Sequence, residues 1–181
     1  MRYNRPLPDS YWVMTGALGD GYLLAGEYPG ARRPEAARRK LTSLLEAGIT
    51  YFIDLTTEAD GLRAYTALLE DVAGQQGIDA GYRRLPIPDL GVPTVAEMVV
   101  ILDAIDAALA DEQVVYVHCW GGIGRTGTVV GCYLVRHGRT PEEALRALQK
   151  WRRDTPNGWR ASPETEAQRE MIAAWQEPAS P

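Results

Sequence analysis

One cysteine stands where nucleophilic chemistry is possible, in the stretch VHCWGGIGRTG, residues 117–127. β-forming residues precede Cys119, and the glycine-rich loop after it leads into a helical pattern, so its backbone N–H groups can converge on one anion. The helix N-terminus adds a positive field that favours the thiolate form of Cys119. The guanidinium of Arg125 matches two phosphate oxygens. We therefore predict Cys119 as a nucleophile. The predicted phosphate-binding loop consists of Trp120, Gly121, Gly122, Ile123, Gly124 and Arg125.

An aspartate upstream supplies the proton donor that the departing oxygen of a phosphate ester needs. Asp89 lies in LPIPDLGVPT, residues 85–94, where prolines and a glycine flank it on a predicted loop before a capped helix. Asp54, at the end of the strand pattern ITYFIDL, is the alternative acid. A nucleotide-binding P-loop is excluded, because that motif ends in Gly-Lys-Ser/Thr and no lysine follows a glycine in this loop.

Strand and helix patterns alternate through most of the chain and must position these residues. Two short strands are predicted around a Gly-Asp-Gly turn in residues 11–30, and further strands in ITYFIDL, AGYRRLPIP and QVVYVH. Helices are predicted over 34–47, 61–77 and 125–138, after the capping box of Thr94 and Glu97, after Thr140, and from Ser162 with Pro163. This alternation predicts an α/β fold: a central, mostly parallel sheet flanked by helices on both faces, with the cysteine loop between a strand and a helix.

Size and charge narrow the class of protein. With 181 residues, 45% of them hydrophobic and 24% charged, the chain suits one domain over 1–181 with loose ends at about 1–9 and 177–181. The net charge of −5 argues against a nucleic-acid partner, and no apolar run is long enough for membrane insertion. Cys132 lies about 12 Å along the predicted helix, too far from Cys119 for a disulfide. Free thiols and the lack of a signal-peptide pattern favour a cytoplasmic location.

The pattern His118-Cys119, five residues, Arg125-Thr126 resembles the signature of the cysteine-dependent protein tyrosine phosphatases. In the form HCWGGIGRTG it is most similar to the small dual-specificity group, which includes the cyclin-dependent-kinase-associated phosphatases and their bacterial relatives. The resemblance covers roughly residues 20–175 and is strongest over 85–135. In this family the general acid lies upstream of the cysteine, as Asp89 does here. Low-molecular-weight tyrosine phosphatases have the reverse order.

The resemblance also implies roles for residues around the loop. It makes Asp54 a structural residue and gives His118 the task of bracing the cysteine loop through hydrogen bonds. Thr126 is predicted to donate a hydroxyl hydrogen bond to the thiolate. The segment SPETEAQREMI, residues 162–172, resembles the one whose glutamine positions hydrolytic water in larger tyrosine phosphatases, which makes Gln168 a candidate. A helix start at Ser162 is the alternative explanation for this segment.

Together, the residues and the resemblance imply a phosphoprotein phosphatase without cofactor or metal ion, acting through a phosphocysteine intermediate. The expected substrates are phosphotyrosine esters and, more broadly, phosphoserine and phosphothreonine esters. One alternative is a phosphatase of small phosphorylated metabolites or inositol phosphates. The loop lacks the lysines typical of phosphoinositide phosphatases, although Arg83 and Arg84 could line its rim. The other alternative is a phosphate-binding module without turnover. The oligomeric state is not predicted by the sequence.

Overall fold

The structure is a computed structural model that describes residues 5–15 and 22–176. Its strands are β1 (Tyr11–Trp12), β2 (Leu23–Gly26), β3 (Tyr51–Asp54), β4 (Gly81–Arg84) and β5 (Val115–His118). They form one sheet in the order β1-β2-β5-β3-β4, in which β1 is antiparallel to β2 and all other neighbours are parallel. The carboxyl ends of β2, β3, β4 and β5 therefore meet at one edge of the sheet, where the loops that follow them come together.

Six α-helices connect and cover these strands: α1 (Pro34–Glu46), α2 (Thr66–Gln76), α3 (Val95–Ala110), α4 (Gly124–Arg136), α5 (Pro141–Arg152) and α6 (Glu166–Ala173). Local signals explain several of the starts. Pro34 lies in the first turn of α1, and the side chains of Thr94 and Thr140 cap α3 and α5 as predicted. The Gly-Asp-Gly turn predicted between β1 and β2 lies outside the described residues.

Two of the predicted helix starts are wrong. The second helix begins at Thr66 rather than at residue 61, because the chain first forms a separate 3₁₀ turn over Glu58–Asp60 with its own capping box. The last helix begins at Glu166 rather than at Ser162. There, the Thr165 side chain accepts a hydrogen bond from the Gln168 N–H, and the Gln168 side chain accepts one from the Thr165 N–H. This reciprocal cap fixes the start of α6.

The core lies on both faces of the sheet, because side chains alternate along each strand. On β5, Val115 and Val117 join an apolar cluster with residues of α3, α4, α5 and α6. Tyr116, between them in sequence, joins a second cluster with residues of α1 and α2. Helix α4 is buried from its first residue to Leu134. The predicted α/β class, with helices on both faces, is confirmed.

Helix α4 packs closely against α6. A Cβ atom at Gly131 would lie 2.1 Å from Cδ1 of Ile172, so only glycine lets α6 approach this closely.

Both cysteines are free and buried. Burial raises the pKa of the Cys132 thiol to about 12, which fits the predicted core position of this residue.

Part of the predicted loose N-terminal end is held by the domain. Leu7 is buried, and Asp9 accepts hydrogen bonds of 3.0 and 2.7 Å from the backbone and side chain of Asn157. Residues 1–4 and 177–181 lie outside the described part of the chain. Among the helices described, none combines the length and the apolar character that crossing a membrane requires.

Candidate active site

A cavity of about 330 Å³ opens at the sheet edge where the carboxyl ends of the parallel strands meet. Cys119, Arg125 and Asp89 all line it, so three predicted site residues from two loops are brought together. The predicted loop residues Trp120, Gly121, Ile123 and Gly124 also line the cavity, and so do Leu90, Arg160, Glu164 and Gln168.

Gly122 is the one predicted loop residue that does not line the cavity. Its φ is +68°, and a Cβ atom there would lie 2.4 Å from the carbonyl carbon of Gly26. The neighbouring Trp120 carbonyl accepts a hydrogen bond of 2.8 Å from the Tyr28 N–H. The loop is therefore pressed against the chain that leaves β2, and only glycine fits at its tightest point.

The amides of the cysteine loop are available to a ligand. No backbone carbonyl in the described part of the chain accepts a hydrogen bond from the N–H groups of residues 120–123. Helix α4 begins immediately afterwards, at Gly124, so its free N–H groups lie at the same place. This arrangement suits an anion, since backbone donors and the helix dipole act in the same direction.

His118 lies beneath the loop at the end of β5, fully buried. Its Nδ1 is 3.3 Å from the Cys119 carbonyl oxygen, and its Nε2 is 2.7 Å from the Tyr65 hydroxyl. Burial lowers the pKa of His118 to about 4, against the opposing effect of the nearby Asp54 charge. A neutral imidazole can donate from Nδ1 and accept at Nε2, which matches both partners. The geometry agrees with the predicted bracing role.

Asp54 is engaged entirely in structural contacts. Its Oδ1 accepts hydrogen bonds from the N–H and hydroxyl of Thr56 at 2.8 and 2.7 Å, and its Oδ2 accepts one of 2.8 Å from the Tyr82 hydroxyl. Burial alone would raise the pKa of Asp54, but His118 and these hydrogen bonds lower it below its ordinary value. Asp54 is buried and does not line the cavity, whereas Asp89 does. Asp54 therefore could not donate a proton to a substrate bound in the cavity.

The two arginines predicted for the rim lie elsewhere. Arg84 points to Asp54, with Nε 3.4 Å from its Oδ2, and Arg83 lines a separate cavity formed with residues of α3. Arg160 is the further arginine that lines the cavity, and it donates a hydrogen bond to Glu164. Both residues come from the segment between α5 and α6, and the sequence analysis predicted no role for either of them.

Arg125 is held by a residue that the sequence analysis missed. Asp60 accepts two hydrogen bonds from it, at 2.9 Å from Nη1 and 2.8 Å from Nη2, and the Ile87 carbonyl accepts another of 3.1 Å from Nη1. Burial would raise the pKa of Asp60, but hydrogen bonds from Arg125 and Thr57 outweigh it and lower this pKa to about 2. The carboxylate therefore stays charged and keeps one edge of the guanidinium occupied.

The opposite edge of the same guanidinium is open to a ligand. Nε of Arg125 has no hydrogen-bond partner among the residues that the structure describes, and Nη2 lies 3.1 Å from Oδ1 of Asp89. Asp89 is half-exposed, so this contact can be exchanged. The Nε and Nη2 donors form the fork that binds two oxygens of a phosphate.

Gln168 and Thr126 differ from the predictions made for them. Gln168 lines the cavity but is fully buried, and its Oε1 accepts from the N–H groups of Glu164 and Thr165. Its Nε2 donates to the Gly91 carbonyl at 3.0 Å, which ties α6 to the loop that carries Asp89. The Gln168 side chain is thus engaged in capping α6 and in holding the loop that carries Asp89, and these contacts occupy its amide oxygen and nitrogen. The Thr126 hydroxyl is buried without a partner in the described residues, so its predicted bond to Cys119 is not formed.

Residues 28–139 match a family described as "Tc-R-P: Polymorphic toxin system, DSP-PTPase phosphatase". The match covers more than half of the chain and includes Asp89, Cys119 and Arg125. The chain belongs to this family. It is therefore a dual-specificity-type phosphatase of the cysteine-dependent tyrosine phosphatase superfamily, as the sequence predicted, and the alternative of a binding module without turnover is not supported.

Individual relatives support the assignment to the dual-specificity-type phosphatases. Cyclin-dependent kinase inhibitor 3 of Sus scrofa is 33% identical over 152 residues, which are 81% of this chain and 71% of that protein. The structure of kinase-associated phosphatase with its catalytic cysteine changed to serine has a TM-score of 0.69 at 19% identity, covers 93% of both chains and shares the fold. PTPMT1 in complex with PI(5)P has a TM-score of 0.64 at 25% identity, with 85% of this chain and 89% of that chain covered.

No group of three or more histidine, cysteine, aspartate or glutamate side chains in residues 5–15 and 22–176 is arranged to hold a metal ion. The polar side chains that line the cavity include a thiol, two guanidinium groups, two carboxyls and an amide.

Proposed function

We propose that this phosphatase hydrolyses phosphotyrosine in proteins through a phosphocysteine intermediate on Cys119. The observation that carries the proposal is the open edge of Arg125, which shares one cavity with Cys119 and Asp89. Asp60 occupies the other edge, so a phosphate has a single way to engage the guanidinium. Phosphoserine and phosphothreonine are secondary substrates in this proposal.

Substrate binding begins with an exchange at Arg125. Two phosphate oxygens take the Nε and Nη2 donors, and the Asp89 carboxyl moves from Nη2 to the ester oxygen. The loop amides bind the remaining oxygens. Because Asp60 already fixes the guanidinium, little of the binding energy is spent on ordering this side chain.

In the first chemical step the Cys119 thiolate attacks phosphorus in line with the bond to the leaving oxygen. The S–P bond forms as that P–O bond breaks, and Asp89 gives its proton to the departing oxygen. The equatorial oxygens carry spread negative charge in the transition state. Arg125 and the loop amides stabilise this charge, which is where most of the rate enhancement arises.

In the second step water hydrolyses the phosphocysteine. Asp89, now a carboxylate, takes a proton from water while the water oxygen attacks phosphorus. The S–P bond breaks, Cys119 leaves as a thiolate, and inorganic phosphate is released. The unpartnered hydroxyl of Thr126 is available to donate to this thiolate and make it a better leaving group.

The charges of the cavity favour a substrate with one phosphate. Among the residues that the structure describes, Arg125 and Arg160 are the cations that line it, and Arg160 is paired with Glu164. An inositol polyphosphate would bring several further anionic groups to this cavity, whose second cation is already paired. The likeness to PTPMT1, whose structure holds PI(5)P, makes a phosphoinositide the substrate class against which phosphotyrosine must be compared.

The test is hydrolysis of a generic aryl phosphate without added metal, followed by rates on phosphotyrosine peptides and on inositol phosphates. We expect turnover of the aryl phosphate and a kcat/KM at least tenfold higher on the peptides than on the inositol phosphates. The opposite ranking would overturn the proposed substrate class, and turnover that depends on added metal would overturn the mechanism.

A further inference from the structure

Trp159 is the most exposed large apolar residue in the part of the chain that the structure describes, with 82% of its surface open to water. It lies between α5 and α6, one residue before Arg160, which lines the catalytic cavity. Tryptophan is mostly buried in folded proteins, because its ring carries a large apolar area. Packing within the fold therefore does not account for the position of this side chain.

The backbone that carries Trp159 is a turn held in place by the domain. The Arg160 N–H donates a hydrogen bond of 3.1 Å to the Asn157 carbonyl, so Trp159 is the third residue of the turn. The guanidinium of Arg152 donates to the carbonyls of both end residues, at 3.1 Å for Asn157 and 3.0 Å for Arg160. A Cβ atom at Gly158 would lie 2.1 Å from the Arg152 carbonyl oxygen, so only glycine lets the turn approach the end of α5 this closely. The turn is thus fixed at both ends.

Fixing this turn has a cost in free energy. Arg152 is buried, and no carboxylate among the described residues forms an ion pair with it, so carbonyl oxygens compensate its charge. A buried charge without a counter-ion is unfavourable. In return, a fixed turn loses little conformational entropy when a partner binds to it. A rigid turn with an exposed aromatic ring at its tip is therefore suited to binding.

The turn lies between two cavities. Its last residue, Arg160, lines the catalytic cavity, and its first, Asn157, lines a second cavity of about 370 Å³. Trp120 and Gly121 of the cysteine loop line both, so the two cavities are adjacent. A polypeptide whose phosphorylated side chain enters the catalytic cavity has its neighbouring residues at this rim, within reach of Trp159. A small phosphate ester does not extend that far.

We propose that Trp159 is a docking residue for the protein substrate and binds an apolar side chain close in sequence to the phosphorylated residue. The inference rests on the proposed function, since it adds a feature of the polypeptide to the phosphotyrosine that the catalytic cavity accepts. Tryptophan is among the residues that contribute most to protein–protein affinity, because its large rigid ring buries much apolar area at a small entropic cost. An apolar side chain of the substrate gives the ring the burial that the fold does not.

The charges around Trp159 favour a polypeptide over a lipid surface. Negatively charged membranes attract clusters of unpaired lysine and arginine. The two exposed arginines nearest to Trp159 in sequence are paired instead, Arg153 with Asp154 at 3.5 Å and Arg160 with Glu164. The net charge of the chain is −5. Trp159 therefore lacks the uncompensated positive charge that would draw it to such a membrane.

The decisive measurement compares two phosphotyrosine peptides of about nine residues, which span about 30 Å when extended. One peptide carries leucine on both sides of the phosphotyrosine, and the other carries serine there. Calorimetry in the Cys119→Ser background, which needs no turnover, compares Cys119→Ser with double variants that add Trp159→Ala or Trp159→Phe. We expect Trp159→Ala to weaken the leucine peptide about tenfold, as loss of an aromatic anchor implies. The serine peptide and free phosphotyrosine should stay within about twofold, and Trp159→Phe should retain the leucine peptide within about threefold.

Steady-state kinetics of the single variants provide the second readout. Trp159→Ala should raise the KM of the leucine peptide and leave its kcat unchanged, because the docking contact is the same in the ground state and the transition state. Val100→Ala is the matched control, since it shortens an exposed apolar side chain of α3 that lines neither cavity. It should leave the affinities and rates for both peptides unchanged.

Unchanged affinity of Trp159→Ala for the leucine peptide, or equal weakening of both peptides and of free phosphotyrosine, would overturn the docking role. Sedimentation with phosphatidylcholine–phosphatidylserine vesicles and light scattering test the other occupants. Binding to vesicles, or a dimer, that is lost in Trp159→Ala would assign the residue to a lipid surface or to a second copy of the chain and overturn the proposal. If the wild-type enzyme fails to turn over phosphopeptides but the calorimetric difference is found, the proposed function falls while the docking contact stands.

Discussion

Asp60 and Arg125 form a buried pair in which both carboxylate oxygens bind the guanidinium, at 2.8 and 2.9 Å. The pKa of Asp60 is lowered from 3.8 to about 2. Since the folded-state pKa is the lower one, the pair stabilises the fold above about pH 4 and is lost only as the pH falls towards 2. The guanidinium is therefore held in one orientation throughout any usable assay range.

Replacing Asp60 by Asn should lower kcat/KM by about 10- to 100-fold, because the amide offers Arg125 only one acceptor and no charge. Glu58→Gln, in the same 3₁₀ turn but exposed, is the control and should stay within twofold. A double-mutant cycle with Arg125→Lys separates positioning from general destabilisation. Additive losses in the double variant would show that Asp60 does not act through Arg125.

Replacing Cys119 by Ser should abolish turnover and leave phosphate binding largely intact, because a serine hydroxyl stays protonated at neutral pH. Cys132→Ala provides the matched control: this cysteine is buried in the core, and its loss should reduce stability but not the rate per folded molecule. Steady-state rates and phosphate calorimetry measure the two effects. Activity of Cys119→Ser within tenfold of wild type would rule out the phosphocysteine mechanism.

Replacing Asp89 by Asn should lower kcat on phosphotyrosine by roughly 10²–10⁴-fold, because the tyrosyl oxide then departs without a proton. The loss should shrink on an aryl phosphate whose phenol is strongly acidic, since that phenolate leaves unassisted. Asp54→Asn is the comparison, and its contacts with Thr56 and Tyr82 predict equal losses on both substrates. A dependence on the leaving group in Asp54→Asn instead would reverse the assignment of the acid.

His118 should make the fold sensitive to mild acid. Its pKa is about 4 in the folded chain against 6.5 for an ordinary histidine, so the unfolded chain binds a proton first as the pH falls. The free energy of unfolding should therefore drop between about pH 6.5 and 4, by up to about 3 kcal/mol. Denaturant unfolding at several pH values measures this slope. The slope should flatten in His118→Gln and persist in His137→Gln, which changes the other histidine.

The sequence predicted the part of the site that is local in the chain. Cys119 and Arg125 are joined by one loop, and the strand and helix that flank it are strong patterns, so their positions followed from spacing alone. Asp89 was predicted from the prolines and the glycine around it and from its place upstream of the cysteine. The rule that loops after neighbouring parallel strands meet could have found Asp60, which follows β3, the neighbour of β5. Its signal was weak because the 3₁₀ turn that carries it is three residues long.

The segment after α5 shows why other positions were missed. Ser162-Pro163-Glu164 and Thr165 with Gln168 are competing helix-start signals in adjacent residues, and local propensity does not rank them. Which one forms depends on contacts with distant chain, such as the hydrogen bond from Gln168 to Gly91. No local signal places Arg160 and Glu164 at the cavity, since their position depends on where that segment folds back.

Helix α6 packs on α4 at Gly131, and this contact joins the segment that carries the reacting groups to a later segment that carries none of them. The family match ends at residue 139, before Arg160, Glu164 and Gln168, which complete the wall of the cavity. Helix α4 thus presents its first turn to the phosphate and its flank to a segment that supplies none of the reacting groups. A foreign stretch could therefore replace residues 153–176 and change the opening of the cavity, provided that it packs on this glycine and keeps the hydrogen bond from Gln168 to the loop that carries Asp89.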